Sequence, residues 1–352
     1  VDSREVLLNT VKKYSDYILN NKEVDVAKLA GKRVAITGAT GLIGSSVVLT
    51  LVEISKHLEC PIKVVAVVRN RAKAEALFGD SVEYAICDVT DKIEISGEVD
   101  YIVHGANQTS SKAFMEEPVE TINTALKGTT NILNVAKEKN VSSLVFLSTM
   151  EVYGAPKTDE KIDELHSSDL NTMSPRNSYP ESKRMCESLC ASYFSEYGVP
   201  VRVIRLTQTF GPGVNYNDGR VFAEFARNAI EGNDIVLHTK GETKRNYLFT
   251  GDAVSAIVTV LLNGENGNAY NAANEDTYCS IYEMAELVSK VSANDIAVRI
   301  EIDDESKFGY APVLHMNLDT AKLRSIGWSP LTGLEEMYQQ LISYMSEQNK
   351  EI

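Results

Sequence analysis

The sequence predicts an α/β protein built on a doubly wound parallel sheet, and three observations carry that prediction. Apolar runs of strand length recur along the chain, and stretches of helical spacing follow them. The first run, Val34-Ala-Ile36, breaks into a turn with glycines at Gly38, Gly41 and Gly44, then resumes as a helix. Alternation of strand and helix calls for crossover connections, which place helices on both faces of a parallel sheet. With 352 residues, 43% of them hydrophobic, the chain can bury a full core and has room for about two domains.

Residues 1–30 read as an N-terminal helical extension. Val6, Leu7, Val11, Tyr14, Ile18 and Leu19 recur at helical spacing, a pattern suited to packing on the main domain or on a second subunit. Residues 31–212 read as a Rossmann-type dinucleotide-binding domain. Gly38 permits the tight turn, Gly41 the approach of a pyrophosphate and Gly44 the packing of helix on strand, while Thr40, Leu42 and Ile43 complete the loop. The helix that follows aims free N–H groups and its positive end at the diphosphate.

The second strand, 62–68, ends in Arg69-Asn70-Arg71. A carboxylate there would accept hydrogen bonds from both ribose hydroxyls, whereas arginine matches a 2′-phosphate, so NADP is favoured over NAD. A solvated basic turn is the alternative. The third strand, 84–90, carries Asp88 and Val89 toward the adenine, with capping of the next segment as the other reading of Asp88. The fourth strand, 101–107, ends in Gly105 and Ala106, small enough for the backbone to approach a cofactor closely. A helix over 118–139 leads to the fifth strand, 144–148.

That strand runs into Ser148-Thr-Met-Glu151, and Tyr179-Pro-Glu-Ser-Lys183 lies downstream. On a helix this spacing puts phenol and ammonium on one face. The ammonium is expected to lower the tyrosine pKa so that the phenol exchanges a proton near neutral pH, with the Thr149 hydroxyl orienting the same oxygen. Residues 157–164 look like an exposed loop beside the site. Beyond Pro212, residues 213–352 form mainly a smaller α/β substrate-binding domain, with 245–275 contributing to the first. Its expected elements are a helix over 221–230, a strand over 234–238, a segment over 243–250 that carries Arg245, and helices over 280–291 and 331–345.

Taken in order, the glycine loop, Thr149 with Val-Tyr-Gly154, Tyr179 with Lys183, Arg205 with Phe-Gly-Pro212, the Arg245 to Asp252 segment, Tyr270-Asn-Ala-Ala273 and Ile326-Gly-Trp-Ser-Pro330 form one pattern. It resembles the extended short-chain dehydrogenase/reductase family, the NAD-dependent epimerases, dehydratases and decarboxylases of nucleotide sugars. The resemblance implies transient oxidation of the sugar ring, with Tyr179 as base, Lys183 as its electrostatic partner and Thr149 as positioning group. It also implies substrate contacts from Gln208 and from Arg245, the latter on the diphosphate, and a homodimer docked through the helix over 118–139 and the one carrying Tyr179. Two departures stand out: Gln208 replaces a frequent asparagine, and Gly309-Tyr-Ala-Pro312 stands where an arginine is usual.

Glu151 bears on the reaction. Dehydratases resemble Thr-Asp-Glu here and decarboxylases Thr-Ser-Glu, whereas this chain has Thr149-Met150-Glu151. Methionine donates no proton, which disfavours a 4,6-dehydratase. A 4-epimerase then ranks first and a decarboxylase second, with an NADP-dependent oxidoreductase performing net hydride transfer as the alternative of another type.

The composition excludes other classes. No apolar run reaches the roughly 18–20 residues of a membrane span, and no signal pattern is present, so a cytoplasmic protein is expected. A formal charge of −14 argues against nucleic acid. The five cysteines show no metal or disulfide spacing and read as reduced, mostly buried apolar residues, and the five histidines suggest no metal centre.

Overall fold

The computed structural model describes residues 2–109, 111–302 and 313–351. The early strands are β1 (Arg33–Thr37), β2 (Lys63–Val68), β3 (Glu83–Ile86), β4 (Tyr101–His104), β5 (Ser143–Thr149) and β6 (Val201–Leu206). Three short strands follow, β7 (Gln208–Phe210), β8 (Ile235–Leu237) and β9 (Lys244–Phe249), and then β10 (Ala269–Ala272) returns to the main sheet. That sheet has seven strands in the order β10-β6-β5-β4-β1-β2-β3, every pair parallel.

The helices are α1 (Ser3–Asn20), α2 (Leu42–Ser55), α3 (Arg71–Phe78), α4 (Ser111–Glu116), α5 (Pro118–Lys139), α6 (Ser178–Tyr197), α7 (Val221–Glu231), α8 (Thr250–Asn263), α9 (Ile281–Val291), α10 (Ala321–Arg324) and α11 (Leu334–Glu351). Alternation along β1 assigns them to faces. Val34 and Ile36 join a core with Val48 and Leu51 of α2 and Ile257 of α8. Ala35 points the other way, into a core with Ile132 and Leu133 of α5 and Cys186 of α6. Central β5 is buried along its whole length, as a parallel strand covered on both faces should be.

A second core gathers Phe210, Phe222, Phe225, Tyr247, Phe249 and Tyr338 from the later elements. Beside it, β9 pairs with β7 and β13 (His315–Met316) in parallel and with β11 (Asn274–Ser280) antiparallel, while β12 (Val298–Ile300) pairs with β8. The N-terminal helix joins the two cores. α1 packs on α2, α8 and α11, with Ile18 in the first core and Tyr14 in the second. A Cβ at Gly251 would lie 2.1 Å from the Tyr14 ring, so only glycine admits that ring at the start of α8.

Several expectations shift. The last helix begins at Leu334, not 331, because the buried Asp252 carboxylate accepts the Leu331 and Thr332 N–H groups at 2.7 and 3.1 Å and holds them out of the helix. The third strand stops at Ile86, before Asp88. The 157–164 segment is an exposed loop as expected, but it is pinned at its end: Ile162 is buried against Leu318, and the Glu164 carboxylate accepts the Asn271 N–H at 2.8 Å. Of the cysteines, only Cys186 and Cys190 are fully buried, and Cys60 is exposed. The Gly309 to Pro312 departure lies outside the described residues. Among the described residues no helix is long and apolar enough to cross a membrane, and no cluster of metal-binding side chains occurs.

Candidate active site

The glycine loop is shaped by backbone rather than side chains. Gly38 has φ +69°, and a Cβ there would sit 2.8 Å from the Ala106 nitrogen. A Cβ on Gly44 would lie 2.2 Å from the Gly38 carbonyl oxygen. Gly41 caps α2 with no side-chain hydrogen bond, leaving the first N–H groups of the helix free for an anion. Thr40, Leu42 and Ile43 are part-exposed on the same loop. Gly105 and Ala106 come to it from the end of β4, their N–H groups donating to the Thr37 carbonyl and hydroxyl oxygens at 3.2 Å each. The Thr37 hydroxyl also lies 2.6 Å from His104 Nδ1, and burial pushes that imidazole down to about 3, keeping it neutral. Such a cradle, built on glycine backbone with the open N–H groups at the start of α2, fits a dinucleotide diphosphate.

The residues after β2 have partners already. Arg69 is exposed and reaches Asp88 at 3.5 Å; Arg71 pairs with Glu75 at 2.8 Å; the Asn70 side chain caps α3. Asp88 closes its own turn, accepting from the Thr90 N–H and hydroxyl at 2.9 and 2.8 Å, and the Thr90 backbone bond leads the causes that lower its pKa. Val89 packs its side chain on Gly128 of α5 and is a core residue.

The end of β5 and the start of α6 bring Thr149, Glu151, Tyr179 and Lys183 to one place. The Thr149 hydroxyl accepts the Glu151 N–H at 3.2 Å and hydrogen-bonds the Tyr179 phenol. The phenol is buried, and here the structure corrects an expectation. Its pKa lies above the ordinary value, because burial first and the Glu151 charge second outweigh the help of Thr149, Arg176 and Arg220. The Lys183 ammonium donates to the Leu147 carbonyl at 2.7 Å and sits 6.0 Å from the Tyr179 ring centre. Burial lowers the Lys183 pKa to about 8. Behind it, Glu187 accepts from Ser148 at 2.5 Å and from Arg205 at 2.7 Å, and Arg205 also donates to the Tyr153 hydroxyl. Arg205, on β6, thereby ties α6 to the turn that follows β5.

Gln208 and Arg245 meet on the small sheet, with 3.4 Å between Arg245 Nη1 and Gln208 Oε1, and Arg245 Nε is buried without a partner. Met150 is buried among Val152, Ile162 and Leu318, its sulfur 3.2 Å from the Thr207 hydroxyl. Three residues near Tyr179 escaped the sequence reading. The Phe114 ring stacks on the Tyr179 ring at 4.4 Å, Arg176 holds Glu151, and Arg220 acts on the phenol from the start of α7. Arg176 had a usable signal, lying three residues before Tyr179; Arg220 had none.

Residues 34–273 match the family described as NAD dependent epimerase/dehydratase family. The chain belongs to this family. It is accordingly an enzyme of the NAD-dependent epimerase/dehydratase type. Among relatives within it, UDP-glucuronic acid decarboxylase 1 of Xenopus tropicalis is 31% identical over 319 residues, covering 90% of this chain and 73% of that one. Two solved structures share the fold. The UDP-glucose 4-epimerase of Thermotoga maritima, solved with UDP-glucose, superposes with a TM-score of 0.77 at 21% identity, over 90% of this chain and 99% of that one. A double mutant of the dTDP-glucose 4,6-dehydratase of Streptomyces venezuelae, solved with NAD, gives 0.74 at 24% identity, over 90% and 98%.

Proposed function

We propose that this enzyme decarboxylates a nucleotide-linked uronic acid, UDP-glucuronic acid being the first substrate to test. The observation that carries this reading is the Glu151 carboxylate, held by Arg176 beside the Tyr179 phenol. Similarity to a UDP-glucuronic acid decarboxylase over 90% of the chain supports it and inverts the order expected from sequence, which placed a 4-epimerase first. Met150 speaks against a dehydratase, because neither its side chain nor its buried position offers a leaving hydroxyl a proton.

Bound nicotinamide supplies a hydride acceptor and donor at a ring carbon. The chain's own groups do the rest. Tyr179 takes the proton of the hydroxyl on that carbon and later returns it, Thr149 orients the shared oxygen, and Glu151 manages the proton that replaces carbon dioxide. Gln208 and Arg245 take the substrate, with the free Arg245 Nε as a donor for diphosphate oxygen. Incubation with UDP-glucuronic acid and cofactor should release carbon dioxide and a UDP-pentose. Release of an epimeric UDP-uronic acid with no gas would return the 4-epimerase to first place.

For the cofactor we keep NADP ahead of NAD. Arg69 is 79% exposed at its side chain and only loosely held by Asp88, so it is free to turn to a 2′-phosphate. NADP should bind more tightly than NAD, and replacing Arg69 and Arg71 together with alanine should narrow the gap. Equal or tighter NAD binding in the unaltered protein would return both arginines to Asp88 and Glu75.

A homodimer through α5 and α6 fits the exposed apolar side chains these helices carry, Val119, Ile122 and Met185 among them. Light scattering at micromolar concentration should give twice the chain mass, and a monomer mass defeats the proposal.

A further inference from the structure

We infer that Arg176 is the receptor for the substrate's carboxylate, exchanging the Glu151 side chain for the acid group on the sugar. The inference rests on the decarboxylase reading for the identity of the substrate, and on the geometry around Tyr179 for the residue. In a uronic acid the carboxylate is attached to the carbon next to the one bearing the hydroxyl that Tyr179 would deprotonate. Its receptor must therefore stand beside the phenol.

Two cations act on that phenol besides the neighbouring acid, Arg176 and Arg220. Arg220 has a firm partner. Its Nε lies 3.0 and 3.2 Å from the two Asp218 oxygens, its Nη2 lies 2.6 Å from one of them, and its guanidinium covers the Phe222 ring. Arg176 is held more weakly. Both terminal nitrogens reach a single oxygen, Glu151 Oε2, at 3.3 Å each, and about a third of each side chain remains open to solvent. The guanidinium stands 5.4 Å from the centre of the Phe114 ring, which itself stacks on Tyr179, so the fork is fixed in direction but not saturated. Lys183 and Arg205 are committed to Leu147 and Glu187.

Charge also requires a cation here. A second carboxylate placed beside Glu151 would be repelled in this part-buried setting, unless the cation that holds Glu151 turns to the incoming acid. A planar fork with free donors suits that task. During loss of carbon dioxide the C–C bond electrons move onto the sugar and its carbonyl oxygen. The negative charge thus passes from the carboxylate to the oxygen at Tyr179, and Arg176 lies near both ends of that path. Its interaction is then similar before and during the reaction, which affects binding more than turnover.

The test compares binding of UDP-glucuronic acid and UDP-glucose by calorimetry, in the presence of the cofactor, for the unaltered enzyme, Arg176→Gln and Arg176→Lys. Losing a charged hydrogen-bond partner should weaken the acid about ten- to a hundredfold in Arg176→Gln and less in Arg176→Lys, with UDP-glucose affinity within about threefold of the original. Should Arg176→Gln fold poorly by its thermal midpoint, Glu151→Gln provides the second arm: with the internal competitor removed, preference for the acid should hold or grow. Equal weakening of both ligands, no preference for the acid in the unaltered enzyme, or a preference that falls in Glu151→Gln overturns the inference. Tight, Arg176-dependent acid binding without release of carbon dioxide would leave the receptor standing and sink the decarboxylase reading alone.

Discussion

Tyr179→Phe should leave cofactor affinity and thermal midpoint near those of the parent while turnover falls ~10²–10⁴-fold, the range for loss of a positioned acid–base group. The phenol is the group assigned to the proton of the reacting hydroxyl, and phenylalanine keeps the ring that stacks on Phe114. The hydroxyl is buried and its pKa is raised, so it stays protonated in the described form and must be activated by the reacting complex. Turnover within threefold of the parent would remove Tyr179 from the chemistry.

Gly44→Ala should be the most damaging single methyl in the cofactor loop. The added carbon would lie 2.2 Å from the Gly38 carbonyl oxygen, 2.8 Å from its carbon and 3.0 Å from Ala39 Cα, all of them backbone atoms that no rotamer change can move. Overpacking of this kind costs about 1–3 kcal/mol even where side chains can yield. The loop must open to admit the methyl, so cofactor affinity should drop about tenfold or more alongside a lower thermal midpoint. Titration with nicotinamide dinucleotides and a melting curve read both effects, and parental affinity would show that Gly44 is not part of the cradle.

The elements read most closely from sequence were those whose signals are local. The helix over 118–139 has proline in its first turn and Asn140 in the left-handed region at its end, both visible in the chain, and its bounds agree with the structure. The last helix was misplaced at its start because what delays it is Asp252, far away in sequence. The site divides in the same way. Gly38, Gly41 and Gly44, like Tyr179 and Lys183, announce themselves by spacing. Arg220 matters because folding brings it to a phenol, and a lone basic residue ahead of a helix has no pattern that says so, whereas Arg176 at least lies three residues before Tyr179. The bond from Lys183 to the Leu147 carbonyl could not be read from the chain, because that acceptor is present in every residue and therefore silent in sequence.

Tyr14 carries a practical lesson for anyone wishing to shorten this enzyme. The stretch that matches the family opens at residue 34 and closes at 273, and trimming to it would look safe. It would remove an aromatic ring lodged against Gly251, and with it Trp328, whose indole N–H donates to Ser255 at 3.0 Å from within the first core. The stretch matched by the family model is thus not the whole folding unit, and similarity to the relatives runs over 90% of the chain.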